Sequence, residues 1–202
     1  MKKILLSVAA IMALGTLEAQ EINFGAKAGL NLTTLTGDGM EDATAKAGFH
    51  AGLVAEFKLM DNLAIQPELL YSAQGSKQEY SEDGDSFEIV QKLNYLTLPI
   101  MAKYYVFEGF SLEAGPQISY LLSADEEYEE KVDGDSYSES ADIKDELKPI
   151  DFGINGGVGY ELPMGLFAQA RYTVGLTNII DGESDDFDWK NAGFQLSVGY
   201  KF

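Results

Sequence analysis

The chain closes on Phe194-Gln-Leu-Ser-Val-Gly-Tyr-Lys-Phe202, in which Phe194, Leu196, Val198, Tyr200 and Phe202 alternate with Gln195, Ser197, Gly199 and Lys201. Successive side chains of an extended strand point to opposite faces, so this period of two puts five apolar groups on one side and small or polar groups on the other. The same period recurs upstream. Ile150, Phe152, Ile154, Val158, Tyr160 and Leu162 alternate with Asp151, Gly153, Asn155, Gly157, Gly159 and Glu161, and Leu166, Ala168, Ala170, Tyr172, Val174 and Leu176 alternate with Gln169, Arg171, Thr173 and Gly175. From Ile22 onward the pattern predicts eight strands, at about 22–34, 46–59, 63–79, 88–107, 110–122, 149–162, 166–176 and 191–202. The connections alternate in size. Met60 to Asn62, Glu108 to Gly109 and Pro163 to Gly165 are tight turns, whereas 35–45, 80–87, 123–148 and 177–190 are longer and polar. An even number of strands with short turns on one rim and long loops on the other predicts an all-β fold, an eight-stranded antiparallel up-and-down transmembrane β-barrel. Its short turns are expected to be periplasmic, and its long acidic loops extracellular.

The other end of the chain supports export. Lys2 and Lys3 precede an apolar stretch from Ile4 to Leu14, followed by the small residue Ala19. That order of charged, apolar and small segments is a secretory signal, too short for a membrane-spanning helix, with cleavage expected after Ala19. Residues 1–19 are then removed, and 20–202 form one barrel domain. No later stretch offers 18 consecutive apolar residues, so an exported chain of this kind is either soluble or a closed barrel.

Composition excludes several classes of function. The 202 residues carry 14 Lys and Arg against 33 Asp and Glu, a net charge of −19. Losing Lys2, Lys3 and Glu18 with the signal leaves 12 basic against 32 acidic residues, or −20. Such a chain repels phosphate, so no nucleic-acid partner is expected. There is no Cys and a single His, His50, which excludes disulfides and Cys-based zinc sites.

The apolar face of each strand points either inward, as in a soluble lipocalin-like carrier, or outward, as in a lipid-embedded barrel. The opposite face discriminates. By register it holds Lys27, Lys58, Lys103, Arg171 and Lys201 against Glu56, Glu68, Glu113, Asp151 and Glu161, with His50 among small polar residues. Charges that cancel suit a narrow interior, where isolated charges are costly and paired ones are tolerated. A polar lumen network of Lys27, His50, Glu56, Glu68, Lys103, Glu113, Asp151 and Arg171 is therefore predicted. The acidity lies between the strands, where 24 of the 33 acidic residues fall. Tyr71, Tyr104, Phe107, Phe110, Tyr120, Tyr160, Tyr172, Tyr200 and Phe202 lie toward strand ends, as interfacial girdles require. Pro67, Pro99 and Pro116 fall inside strands, and a closed barrel has no edge to absorb a missing N–H, so bulges are expected beside them. The acidic stretch 123–148 has no continuous apolar face and reads as a mobile loop.

Several runs carry a resemblance. Gly25-Ala-Lys-Ala-Gly-Leu-Asn31, Gln66-Pro-Glu-Leu-Leu-Tyr71, Leu93-Asn-Tyr-Leu-Thr-Leu-Pro-Ile100 with Lys103-Tyr-Tyr105, Gly115-Pro116 with Ser119-Tyr120, and Asp151-Phe-Gly153 with Gly157-Val-Gly-Tyr160 succeed one another along the mature chain. In that order they resemble the porin-like outer membrane protein beta-barrel domain family, also called PorT-like. The resemblance implies an eight-stranded barrel resident in a Gram-negative outer membrane, and it supplies no catalytic residues. It also implies that Phe194, Leu196, Val198, Tyr200 and Phe202 form the assembly signal read by the barrel-insertion machinery.

An eight-stranded barrel is only about wide enough inside for its own side chains, so a general diffusion pore is not expected. The leading expectation is a non-enzymatic protein whose acidic loops serve a binding, protective or envelope-structural role. Its expected partners are outer-membrane lipid, the insertion machinery, and an extracellular or envelope protein. A second class is a small outer-membrane hydrolase using His50 with Glu68 or Ser72, although a lone His is more often a hydrogen-bonded lumen residue. A third is Ca²⁺ binding by Asp83-Gly-Asp85 and Asp133-Gly-Asp135. Neither motif completes the twelve-residue calcium loop, so both read as solvated acids and no metal or cofactor is expected.

Overall fold

A computed structural model describes residues 22–40, 42–82, 85–132, 135–182 and 188–202. The segment 1–19, together with Asp83 and Asp133 of the two Asp-Gly-Asp motifs, lies outside the described residues. The strands are β1 (Ile22–Gly37), β2 (Ala43–Met60), β3 (Leu63–Glu82), β4 (Asp85–Phe107), β5 (Phe110–Val132), β6 (Asp135–Asp142), β7 (Ile150–Glu161), β8 (Leu166–Gly175) and β9 (Trp189–Lys201). A 3₁₀ turn over Lys144–Glu146 follows β6. No described helix is long and apolar enough to cross a membrane.

Eight of the strands close into an antiparallel ring. β1 pairs with β2 and β9, β4 pairs with both β3 and β5, and β5 continues to β7, then β8 and β9. The ring closes from Gly25 opposite Lys201 to Gly37 opposite Trp189. β6 stands outside it, as a ninth strand hydrogen-bonded to β5 alone among the described residues.

Alternation assigns the faces. Phe194, Leu196, Val198, Tyr200 and Phe202 point outward, with Val198 63 % and Phe202 77 % exposed, while Gln195, Ser197 and Lys201 are buried inside. Leu30, Leu53, Leu69, Leu98, Leu112 and Leu196 continue the apolar belt around the ring. At the short-turn end it is bordered by Phe24, Tyr104, Phe107, Tyr160 and Tyr200, and at the long-loop end by Phe49, Tyr71, Tyr120, Phe152 and Tyr172. A belt of this extent far exceeds the apolar patches of roughly 300–600 Å² that soluble monomers expose, and hydrocarbon is the solvent that suits it. The soluble carrier with an oily interior is therefore overturned.

The prolines behave differently from expectation. Register stays constant through Pro67, Pro99 and Pro116, with Pro67 opposite Ile100, Pro99 opposite Gln117 and Pro116 opposite Ile154. Each proline instead costs its strand ladder pairs toward one neighbour. The β2–β3 ladder passes from Val54–Glu68 to Phe57–Ile65, the β3–β4 ladder from Pro67–Ile100 to Leu70–Thr97, and the β4–β5 ladder from Pro99–Gln117 to Ala102–Ala114. A proline lacks one donor on one side only, so a local gap suffices, and intact pairing on the other side holds the register.

Bulges occur where the wall leaves the membrane-spanning zone. β4 and β5 shift at Asn94 and Tyr95, and β2 and β3 shift between Ala45 and His50. At the second site Gly75 has φ +136, a conformation that suits glycine. The Thr33 hydroxyl clamps it, donating to the Gly75 carbonyl and accepting from its N–H, both at 2.9 Å. Beyond these shifts β3, β4 and β5 run on past the ends expected from sequence. The segment 123–148 is not a bare loop, because it completes β5 and contains β6.

A Cβ at Gly75 would lie 1.9 Å from the Gln91 carbonyl oxygen. Gly75→Ala is expected to destabilise the barrel by about 1–3 kcal/mol. A lowered urea midpoint for the refolded chain checks it, and an unchanged midpoint would show that the bulge carries no strain.

Candidate functional site: the lumen and the two barrel ends

The interior face collects ionised side chains from every strand of the ring. β1 supplies Lys27, β2 Glu56, β3 Glu68, β4 Lys103, β5 Glu113, β7 Glu161, β8 Arg171 and β9 Lys201. Arg171 lies at the centre. Its Nη1 and Nη2 donate to the two Glu68 oxygens at 2.9 and 2.7 Å, and its Nε donates to Glu113 Oε2 at 2.9 Å. Lys27 lies 2.7 Å from Glu68. Lys103 lies 2.8 Å from Glu56 and 3.6 Å from Glu113, and Lys201 bridges Glu56 and Glu161 at 2.6 Å each. Gln66, Gln169 and the Tyr105 hydroxyl fill the remaining positions, donating to Glu68, Glu113 and Glu56 respectively. Four positive and four negative charges thus form one connected network.

Two residues of the predicted set, Asp151 and His50, lie elsewhere. Asp151 stands nearer the long loops, accepting from the Thr177 hydroxyl at 2.5 Å and from Asn191 Nδ2 at 3.0 Å. Lys58 lines a basin of about 570 Å³ at the short-turn mouth, together with Tyr105, Glu108 and Glu161. His50 joins a neutral layer of its own. Its Nδ1 lies 2.7 Å from Asn31 Oδ1, and its Nε2 lies 2.8 Å from Ser197 Oγ. The Asn31 amide nitrogen is occupied as a donor to Ser72 Oγ and the Ala73 carbonyl, so its oxygen accepts from His50 Nδ1–H and leaves Nε2 to accept from Ser197. Hydroxyl, imidazole and amide in that order resemble an acyl-transfer triad. All three are buried, however, at 4 % exposure or less. Of the partners expected from sequence, Ser72 reaches His50 only through Asn31, and Glu68 is engaged by Arg171 and Lys27.

Above these polar layers the long-loop mouth is closed by hydrocarbon. Leu35, Met40, Leu93, Tyr95, Leu121, Ala124, Ile143, Leu147 and Ile179 form one buried cluster, with Trp189 packed against it. Hydrogen bonds to backbone carbonyls tie the connections around it together. Lys148 N–H donates to the Ile179 carbonyl at 2.7 Å, Ile179 N–H to Trp189 at 2.9 Å, and Trp189 Nε1–H to Asp38 at 2.9 Å. Sequence reasoning missed this plug because Met40, Ile143, Leu147 and Ile179 are single apolar residues in polar connections, and the rest sit at the long-loop ends of strands whose partners there are set only by the fold.

Beyond the plug, β3–β6 rise as a four-stranded sheet. On its outer face Lys77 pairs with Glu88 at 2.5 Å and Lys92 pairs with Glu127, and Val90 is buried beside them. The Glu88 hydrogen bond raises the Lys77 pKa above its ordinary value. Among the described residues no group of three His, Asp or Glu side chains is placed to hold a metal ion.

A ring of this topology, with hydrocarbon outside and paired charges within, is a transmembrane β-barrel. The chain belongs to the outer membrane protein beta-barrel domain family, which matches residues 18–181, and it is a Gram-negative outer-membrane protein. Among solved structures it is similar to Ail, the attachment invasion locus protein of Yersinia pestis, at 14 % identity and a TM-score of 0.50, covering 90 % of this chain and 99 % of that one. Neisserial surface protein A (NspA) is matched at 13 % identity, with a TM-score of 0.46 over 89 % of this chain and 97 % of that one. No curated protein matches the chain.

Removing the central guanidinium leaves three cations to four carboxylates, with Glu68 and Glu113 each short of a partner. Arg171→Met is expected to cost about 3–5 kcal/mol, because one buried charge loses its partner. Adding Glu113→Gln restores neutrality and is expected to recover most of that loss. Denaturant unfolding of the two variants checks the sign, and equal stabilities would show that charge balance does not govern the lumen.

Proposed function

We propose that this chain is a non-enzymatic, non-conducting outer-membrane anchor whose long loops face outward and display an acidic binding surface. The observation that carries this reading is the division of charge, with a connected neutral network inside the barrel and the acidic excess at the long-loop end. The segments 76–92 and 123–142 alone hold fourteen acidic residues against three lysines. The eight-charge network and the apolar plug fill the lumen in series, which supports a barrel with no aqueous path. The burial of Ser197, His50 and Asn31 supports a structural role for that trio rather than hydrolysis.

On this reading residues 1–19 direct export, the mature chain starts at Gln20, and the short turns face the periplasm. The outward row ending in Phe202 serves as the assembly signal for the insertion machinery, its apolar groups standing free at the end of β9. Deleting Phe202 is expected to lower the amount of chain inserted in the outer membrane severalfold while leaving export intact, as read by fractionation. Equal insertion would remove the terminal aromatic from the signal.

Planar bilayer recording tests the closed lumen. The refolded chain is expected to give no stable unitary conductance. Large, long-lived current steps that persist across preparations would overturn the anchor reading.

A further inference from the structure

The one strand outside the ring is an open edge. β6 pairs with β5 from Asp125–Asp142 to Val132–Asp135, and among the described residues no strand lies on its other side. Its bonding pattern follows from one hydrogen bond and the register. Ile143 N–H donates to the Ala124 carbonyl at 3.0 Å, which makes that pair the hydrogen-bonded kind and sets the phase. The ladder then runs without a shift from Asp125–Asp142 to Val132–Asp135. Hydrogen-bonded and non-hydrogen-bonded pairs alternate between these limits, so Ser138, Ser140 and Asp142 turn their backbone N–H and C=O groups away from β5. Soluble edges of this kind are usually blunted by Lys, Pro or a bulge. β6, with the sequence Asp-Ser-Tyr-Ser-Glu-Ser-Ala-Asp, has no Lys or Pro and keeps unbroken register with β5.

The flanking side chains specify the partner. Tyr137, Glu139 and Ala141 share one face with Glu126, Tyr128 and Glu130 of β5, because they are paired residues of one ladder. Tyr137 is 62 % exposed, and Glu129, Glu130 and Glu139 are exposed as well. A second copy of the chain would bring this acidic edge against its own like charge. A cationic strand meets opposite charge and free backbone groups together.

We propose that the free edge of β6 accepts an extended segment of another protein by strand addition, and that this segment carries Lys or Arg at alternate positions. The proposal rests on the outward-facing acidic surface described above and specifies how that surface is used. Backbone bonds to Ser138 and Ser140 supply the docking geometry, and alternate cationic side chains lie over Glu130 and Glu139.

The probe is a twelve-residue Lys-Thr alternating peptide, with a Glu-Thr peptide and a version N-methylated at alternate residues as controls, titrated onto the full refolded chain in micelles. The Lys-Thr peptide is expected to bind, and the other two to bind about tenfold or more weakly, since each loses either charge complementarity or two or more backbone bonds. Ser138→Pro with Ser140→Pro removes only edge-facing donors and is expected to reproduce the N-methyl loss. Glu130→Gln with Glu139→Gln is expected to weaken binding and flatten its salt dependence. Equal binding of the parent and N-methylated peptides, or full binding by the proline pair, would overturn strand addition while leaving the acidic-surface reading intact. Failure of the wild-type chain to bind the Lys-Thr peptide would overturn both. Self-association that is lost in the proline pair and competes with the peptide would reassign the edge to a second copy.

Discussion

The constraint on which the rest of this barrel depends is that ionised groups in a narrow cylinder filled by side chains have to touch partners and cancel. Each strand of the ring places one charged side chain in the network, and Arg171 holds two carboxylates at once through its guanidinium fork. A planar group with several fixed donors suits this position, where a lysine would offer one point charge. Because the partners sit on β3, β5 and β8, which are remote in sequence, the network fixes the relative height of strands across the lumen. Strand alternation carries the opposite requirement outward, where the same residues' neighbours meet hydrocarbon.

The two ends of the cylinder are lined by different chemistry. Toward the short turns, Lys201, Glu161 and Tyr105 extend the ion network to the mouth, where partial exposure of Glu161 lowers the cost of its charge. Toward the long loops the filling changes from polar to apolar, and Leu147, Ile179 and Met40 descend from connections that are otherwise acidic. The loops are thereby tied down by burial as well as by backbone bonds. The sheet above them rises from one side of the barrel only, since β3, β4 and β5 continue while β1, β2 and β9 end near the rim.

The interruptions of the wall follow the same logic of local cost and global register. Pro67, Pro99 and Pro116 each give up a donor, and the neighbouring ladders skip the affected pairs and then resume in phase. Phase changes fall instead at the strand ends, beside the short turns at Lys58–Met60 and Tyr105–Phe107, and near Gly75 and at Asn94–Tyr95, where the wall passes from lipid into the protruding sheet. A bulge there redirects the strands without moving any member of the ion network.

Period two made the eight ring strands, the outward row Phe194 to Phe202 and the inward charges legible in the sequence, because a strand's two faces are set by local geometry alone. Which charges meet was not legible. Asp151 shares the inward face with Arg171, yet it lies nearer the long loops and bonds Thr177 and Asn191 instead of joining the network. His50 was visible as a lone imidazole, whereas its partners Asn31 and Ser197 are brought to it by the registers of β1 with β2 and β9. β6 and the plug were hidden for a related reason. A Ser- and Glu-rich edge strand has no oily face to reveal its period, and scattered apolar residues become a core only when the loops fold over the ends of β1, β4 and β5. Local alternation therefore determined the wall and its orientation, and the closure of that wall into a ring decided which side chains became neighbours.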